Sequence, residues 1–238
     1  DESDAETATY GIYLYMRDAL KSVHDIYLCW GELRNGLWGA GTNKTLSGVD
    51  QTQVRTSTMS SSNAYADWSV MYKTVNQANL ILKHVPEMGI SESVRNFSLG
   101  NAYFSRAWCY FWIARIWGDA PLALTGYEST GGDLYLPRAP KAEIFARIES
   151  DLTEAERYVT DNSDKAVATP AAVQMLKADY ALWMYRVAGG GSSYLTMAEK
   201  AIEALNLSAS RLESDYAQVF SSANKLNKEV IFAVHQAN

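Results

Sequence analysis

A chain of 238 residues can bury a full hydrophobic core, as one large domain or as two small ones. Its hydrophobic content of 47% excludes general disorder, because that fraction is typical of globular proteins. The net charge is −6 and Lys and Arg are scattered along the chain, which argues against a nucleic-acid partner, since that requires a basic face.

Apolar residues recur at steps of three and four in six segments, and this spacing predicts six helices. The predicted helices cover residues 5–23, 63–85, 91–117, 141–159, 170–188 and 194–205. Residues 229–234 are β-branched and aromatic, which predicts a short strand. No stretch reaches the roughly 18 uninterrupted apolar residues of a membrane-spanning helix.

Short turns between helices of similar length are typical of tetratricopeptide-like helical pairs. We therefore predict an all-α fold, in which a tetratricopeptide-like scaffold of helical pairs carries long loops and little strand. The prediction is a single helical domain over residues 1–238, with its core at about 63–207 and a long loop at 24–62.

The helix predicted at 91–117 is apolar on two faces, which indicates that it packs between other helices. Arg106 lies in one of its apolar rows, and an unpaired buried charge costs several kcal/mol. We therefore expect Arg106 to pair with a carboxylate on a neighbouring helix, and Asp151 is a candidate. Gly118 is predicted to end this helix, and the Asp119 that follows is interpreted as structural.

Catalytic and metal-binding patterns were not found in the sequence. The three His lie far apart, and no His or Cys spacing matches a metal site. Two cysteines, Cys29 and Cys109, do not make a disulfide framework. We therefore expect a protein that performs no covalent chemistry and has no catalytic residues, metal or other cofactor.

The segment 27–38, YLCWGELRNGLW, is the most promising ligand-binding surface, because it lies in the long non-periodic loop predicted at 24–62. Sugars stack their C–H faces on aromatic rings, while charged and amide side chains bind their hydroxyls. Trp30 and Trp38 are the candidate platforms. The alternative interpretation is that Tyr27 and Trp30 only attach the loop to the scaffold. The candidate ligand-binding residues are Tyr27, Trp30, Arg34, Asn35 and Trp38.

Three motifs occur in a fixed order along the chain. Residues 106–122 begin with Arg-Ala, continue with aromatic and aliphatic residues, and end with Gly-Asp-x-Pro-Leu. Arg138 then precedes EIFARIESDLTEA, and NKEVIFAV follows near the end. Over residues 76–234 this pattern resembles the SusD/RagB family of Bacteroidota outer-surface lipoproteins.

The resemblance implies a helical scaffold whose loops carry the binding surface. It also implies nutrient capture at the cell surface, with the ligand delivered to a SusC-like TonB-dependent outer-membrane transporter. The lipid anchor would be a Cys upstream of Asp1. A glycan is the first expected ligand and a peptide the second, as both occur in the family. A tetratricopeptide-like adaptor for a protein partner is the alternative from another class.

Members of that family continue well past the Glu-Val-Ile-Phe run, whereas this chain stops at Asn238. The resemblance therefore implies either a fragment or a natural short homologue.

Overall fold

The computed structural model describes residues 1–35, 48–129, 131, 134–208 and 211–235. The longer helices are α1 (Glu2–Gly31), α2 (Val49–Thr56), α3 (Ser69–His84), α4 (Glu92–Trp117), α5 (Lys141–Tyr158), α6 (Pro170–Arg186) and α7 (Ser192–Ala204). The structure also describes a short α8 (Tyr216–Val219) and 3₁₀ turns at Glu32–Arg34, Ala64–Ala66, Val85–Glu87 and Ser222–Asn224. None of the helices described is long and apolar enough to cross a membrane.

Helix α4 is the centre of the fold. It packs against α1, α3 and α5, while α6 pairs with α7. The apolar residues of α4 are buried on both of its faces, as the sequence predicts for a helix between other helices. The all-α prediction is therefore confirmed, and all six predicted helices are present.

The loop predicted at 24–62 is wrong at its beginning, because α1 continues to Gly31. Ile26, Cys29, Trp30 and Leu33 are all buried. They are spaced three and four residues apart and so prolong the apolar stripe of α1. The predicted loop also contains α2, which places Val54 in the same core cluster.

The strand predicted at 229–234 is also wrong. In the described part of the chain, the strands are β1 (Ala120–Pro121) and β2 (Arg138–Ala139), which pair antiparallel. Residues 230–235 pair with no strand among the residues described; the Ala233 N–H donates to the Lys165 carbonyl at 3.0 Å. β propensity alone does not make a strand where no partner edge is available.

The ends of the helices around α4 have identifiable causes. Gly118 follows α4 with a φ of 72°, a conformation that favours glycine. The Asp119 carboxylate accepts the backbone N–H of Lys141 at 2.8 Å, which satisfies a free donor in the first turn of α5. This hydrogen bond joins the end of α4 to the start of α5. Thr169 caps α6, and Pro170 occupies its first turn.

Arg106 forms the predicted buried ion pair with Asp151. Its Nε and Nη2 donate to the two carboxylate oxygens at 2.8 and 2.7 Å, and Asp151 is fully buried. The Arg106 Nη1 donates to the Asn79 side-chain oxygen at 2.7 Å, and Arg147 donates to Asp151 at 3.3 Å. Every charge in this cluster therefore has an opposite charge or a polar partner.

Replacement of Arg106 by Met is expected to lower the free energy of unfolding by about 3–5 kcal/mol, because Asp151 would stay buried without its main partner. Urea denaturation measures this loss. Arg157→Met removes an exposed guanidinium from α5 and should change stability by less than about 0.5 kcal/mol. An Arg106→Met variant as stable as this control would contradict the interpretation.

Candidate functional site

A groove of about 310 Å³ opens between the first half of α3 and the segment that follows α4. We call it the Trp68 groove. Aromatic rings, two amides and two leucines form most of its lining: Trp68, Ser69, Tyr72, Asn76, Asn79, Pro121, Ala123, Tyr127, Leu134 and Leu136. No Asp or Glu belongs to this described lining, so the groove is mainly apolar with neutral polar groups.

Asn76 fixes one wall of the groove through two hydrogen bonds. Its Nδ2 donates to the Tyr127 carbonyl at 3.0 Å, and its Oδ1 accepts the Tyr127 N–H at 2.7 Å. The side-chain amide thus pairs with the Tyr127 backbone as a neighbouring strand would. The loop backbone is held against α3 without forming a sheet.

Asn79 joins the same wall to the buried ion pair. Its Oδ1 accepts from Arg106, which leaves Nδ2 to donate to the carbonyls of Ala123 and Thr125 at 3.0 and 3.3 Å. The Tyr110 hydroxyl also donates to Ala123, at 2.7 Å. Hydrogen bonds from Asn79 and Tyr110, whose side chains reach the core, therefore hold the backbone of the segment that forms the wall opposite α3.

Two indoles position the residues just before α3. The Trp30 N–H donates to the Tyr65 carbonyl at 2.8 Å, and the Trp117 N–H donates to the Ala66 carbonyl at 3.1 Å. The Trp117 ring also packs edge-on against Trp68, with 6.3 Å between ring centroids. Trp30 and Trp117 therefore determine where Trp68 stands at the groove.

One neutral tyrosine hydroxyl and one nearby guanidinium define the electrostatics of the groove. Burial raises the pKa of Tyr72, and the charge of Arg138 partly offsets this rise, so the hydroxyl stays neutral. That hydroxyl donates to the Pro121 carbonyl at 2.7 Å. The Arg138 guanidinium lies 4.9 Å from the centre of the Trp68 ring. The Ser69 hydroxyl of the lining donates to the Asp67 carboxylate at 2.9 Å, two residues earlier in the chain, at the start of α3.

The residues predicted to bind ligand fall in different environments. Trp30 is 8% exposed and packs in the core, which supports the alternative interpretation for this residue. Tyr27 is exposed on α1. Arg34 and Trp30 line a smaller pocket of about 140 Å³ with Trp117, and Asn35 donates to Glu32 at 2.7 Å. Trp38 lies outside the described residues.

Sequence reasoning missed Trp68 as a site residue. Trp68 shares an apolar stripe with Met71 and Val75, and the stripe by itself predicts a core position. The structure leaves Trp68 only partly buried at the N-cap of α3, where its ring lines the groove. Among the residues described, no group of His, Cys, Asp and Glu is arranged to hold a metal ion.

A family model described as SusD-like, "Starch-binding associating with outer membrane", matches residues 40–185, which is more than half of the chain. The chain belongs to this SusD-like family. Two curated relatives come from Formosa agariphila. SusD-like protein P38 is 33% identical over 103 residues, 43% of this chain and 20% of that protein. SusD-like protein P25 is 27% identical over 176 residues, 70% of this chain and 31% of that protein.

Solved structures share the fold over the whole chain. NanU of B. fragilis has a TM-score of 0.82 and 29% identity, covering 100% of this chain and 48% of that one. A SusD superfamily protein from Bacteroides vulgatus has a TM-score of 0.81 and 25% identity, covering 100% and 49%. A laminarin-binding SusD-like protein, 19% identical with a TM-score of 0.78, covers 98% and 50%. The chain spans about half the length of these three solved proteins.

Trp30→Phe removes the indole N–H and leaves the buried Tyr65 carbonyl without that donor. We expect the free energy of unfolding to fall by about 1–3 kcal/mol, measured by urea denaturation. Trp183→Phe is the matched control, because no residue in the described part of the chain accepts a hydrogen bond from its indole N–H. Equal losses in the two variants would show that packing alone explains the role of Trp30.

Gly126 allows the loop after α4 to approach α3 closely. A Cβ at this position would lie 2.8 Å from the backbone nitrogen of Leu80, whereas the nearest described atom to a Cβ at Gly131 is the Ser129 Oγ at 3.7 Å. Gly126→Ala is expected to cost about 1–3 kcal/mol and to speed hydrogen exchange at the Tyr127 amide. Gly131→Ala should leave both values unchanged, and identical behaviour of the two variants would contradict the close approach.

Proposed function

We propose that this SusD-like protein captures a glycan at the bacterial cell surface and delivers it to a SusC-like TonB-dependent transporter. In this proposal a lipid anchor upstream of the chain attaches it to the outer membrane, and the Trp68 groove takes part of the oligosaccharide. The protein acts by binding and release, without covalent chemistry. Membership of a family described as starch-binding and associated with the outer membrane supports this assignment.

The Trp68 groove is the observation that carries the proposal. Partly buried rings of Trp68, Tyr72 and Tyr127 offer apolar surface for the C–H faces of a sugar. Asn76 uses one of its two N–H hydrogens for the Tyr127 carbonyl, so the other remains for a sugar hydroxyl. The Tyr72 hydroxyl donates to Pro121 and keeps its lone pairs as acceptors.

The size of the groove limits how much ligand it holds. Small-molecule pockets span about 300–1,000 Å³, and the Trp68 groove, with about 310 Å³, lies at the lower end. The groove therefore fits a short part of a longer oligosaccharide. In the proposal the segment 27–38 extends the site, with Arg34 and Asn35 as polar contacts, Trp38 as a second platform and Tyr27 at its edge. Trp117 lies between the segment 27–38 and the groove, because its ring contacts both Trp30 and Trp68.

Two structures with the same fold support carbohydrate as the ligand class. One is the laminarin-binding SusD-like protein, and the other was solved with a xylogluco-oligosaccharide. Malto-, laminari- and xylogluco-oligosaccharides are therefore the first ligands to test, and the choice among them is open to experiment.

Calorimetric titration of the protein with these oligosaccharides tests the proposal. Trp68→Ala is expected to weaken binding by about tenfold or more, because a stacked aromatic ring contributes a few kcal/mol of burial. Tyr185→Ala removes an exposed aromatic ring from α6, away from the groove, and should bind as the parent does. Trp38→Ala tests the second platform in the same titration.

Two results would overturn the assignment. If Trp68→Ala is folded by circular dichroism and binds as tightly as the parent, the groove is not the ligand site. If the parent binds no oligosaccharide but binds a peptide, the ligand class is wrong.

A further inference from the structure

A second cavity, separate from the Trp68 groove, lies between the start of α6 and the end of α7. Its volume is about 410 Å³, and it shares no lining residue with the groove. We call it the Lys165 pocket. Its charged lining residues are Lys165 and Arg211, and no Asp or Glu belongs to the lining that the structure describes.

The positive charge of Lys165 is offset only weakly by a nearby carboxylate, that of Glu213. Among the described residues neither Lys165 nor Arg211 forms an ion pair, and the Lys165 ammonium donates to a neutral acceptor, the Asn227 carbonyl, at 2.6 Å. The pKa of Lys165 is lowered first by burial and next by the positive charge of Arg211. Glu213 acts in the opposite direction but more weakly. The chain as a whole carries a net charge of −6, whereas this cavity brings together two cations that repel each other.

A buried donor adds to these charges. Thr169 lines the pocket and is 4% exposed; its hydroxyl oxygen accepts the Ala172 N–H at 3.1 Å. No residue within the described ranges accepts the hydrogen of that hydroxyl, so the O–H can donate to a group in the pocket. The positive end of the α6 dipole lies at the same place. The two cations, the α6 dipole and the Thr169 hydroxyl all favour a ligand group in the pocket that is negatively charged and accepts hydrogen bonds.

We propose that the Lys165 pocket binds a small molecule carrying a carboxylate group. The planar guanidinium of Arg211 suits the two oxygens of a carboxylate, and the ammonium of Lys165 adds a second positive charge. Pro170, Leu205 and Ile231 supply apolar lining for the rest of the ligand. An inorganic anion would leave this apolar part of the cavity unfilled. An acidic sugar and an aliphatic acid both combine a carboxylate with such a body.

Calorimetric titration at low ionic strength tests the pocket with four probes: methyl glucuronide, hexanoate, methyl glucoside and inorganic sulfate. We expect saturable binding of at least one carboxylate probe. Methyl glucoside, which has the same ring without the charge, should bind at least about tenfold more weakly than methyl glucuronide if the ligand is an acidic sugar. Preferential binding of hexanoate would identify an aliphatic acid instead.

Variants connect that binding to the pocket. Lys165→Gln and Arg211→Gln should each weaken the preferred carboxylate by about tenfold, while Lys200→Gln, on the exposed side of α7, should bind as the parent does. Arg211→Lys keeps the positive charge but loses the planar guanidinium that can donate to both carboxylate oxygens. We therefore expect a loss of affinity between those of the parent and of Arg211→Gln. If a Gln variant fails to fold, Arg211→Lys decides the question.

Three results would overturn the inference: no saturable binding of either carboxylate, equal affinity for glucuronide and glucoside with no binding of hexanoate, or sulfate binding as tight as either carboxylate. The last would indicate a non-specific anion site. Trp68→Ala should leave carboxylate binding unchanged, so failure of this site and failure of the proposed glycan function are distinguishable.

Discussion

The buried ion pair between Arg106 and Asp151 is the interaction on which the rest of the fold depends. It joins α4 to α5, and the remaining Arg106 nitrogen reaches Asn79 on α3. Asp151 is fully buried, so its charge is tolerated only while the guanidinium and Arg147 supply hydrogen bonds. Three helices are thereby fixed in one relative arrangement, because each must bring its polar group to the same point in the core.

The same interaction extends to the surface. Arg106 occupies the oxygen of Asn79, which directs the amide nitrogen to the carbonyls of Ala123 and Thr125. The backbone polar groups of a loop need hydrogen-bond partners, which water or a neighbouring strand usually supplies. Here the side-chain amides of Asn76 and Asn79 supply them. These hydrogen bonds hold the groove wall without a ligand. In the proposed function such a preformed site would lose less conformational entropy on binding.

The Trp68 groove and the Lys165 pocket differ in chemical character. The Trp68 groove has aromatic walls and neutral amides, which suit an uncharged sugar surface. The Lys165 pocket has two cations and an apolar wall. The first is built on α3 and the loop after α4, and the second on the start of α6 and the end of α7. Different helical pairs of one scaffold can therefore carry independent sites, because each pair is stabilised mainly by its own neighbours.

The sequence by itself determined the all-α class, six helices and the need of a buried Arg106 for a carboxylate partner, with Asp151 as one candidate that the structure then selected. Periodicity identifies a core face, and a charge on that face requires a partner. Only the tertiary structure decided the length of α1, the absence of a strand at 229–234 and the different roles of Trp30 and Trp68. Both tryptophans are equally apolar in sequence. The neighbours brought by the fold, which local periodicity does not contain, bury Trp30 under α4 and leave Trp68 at the edge of a groove.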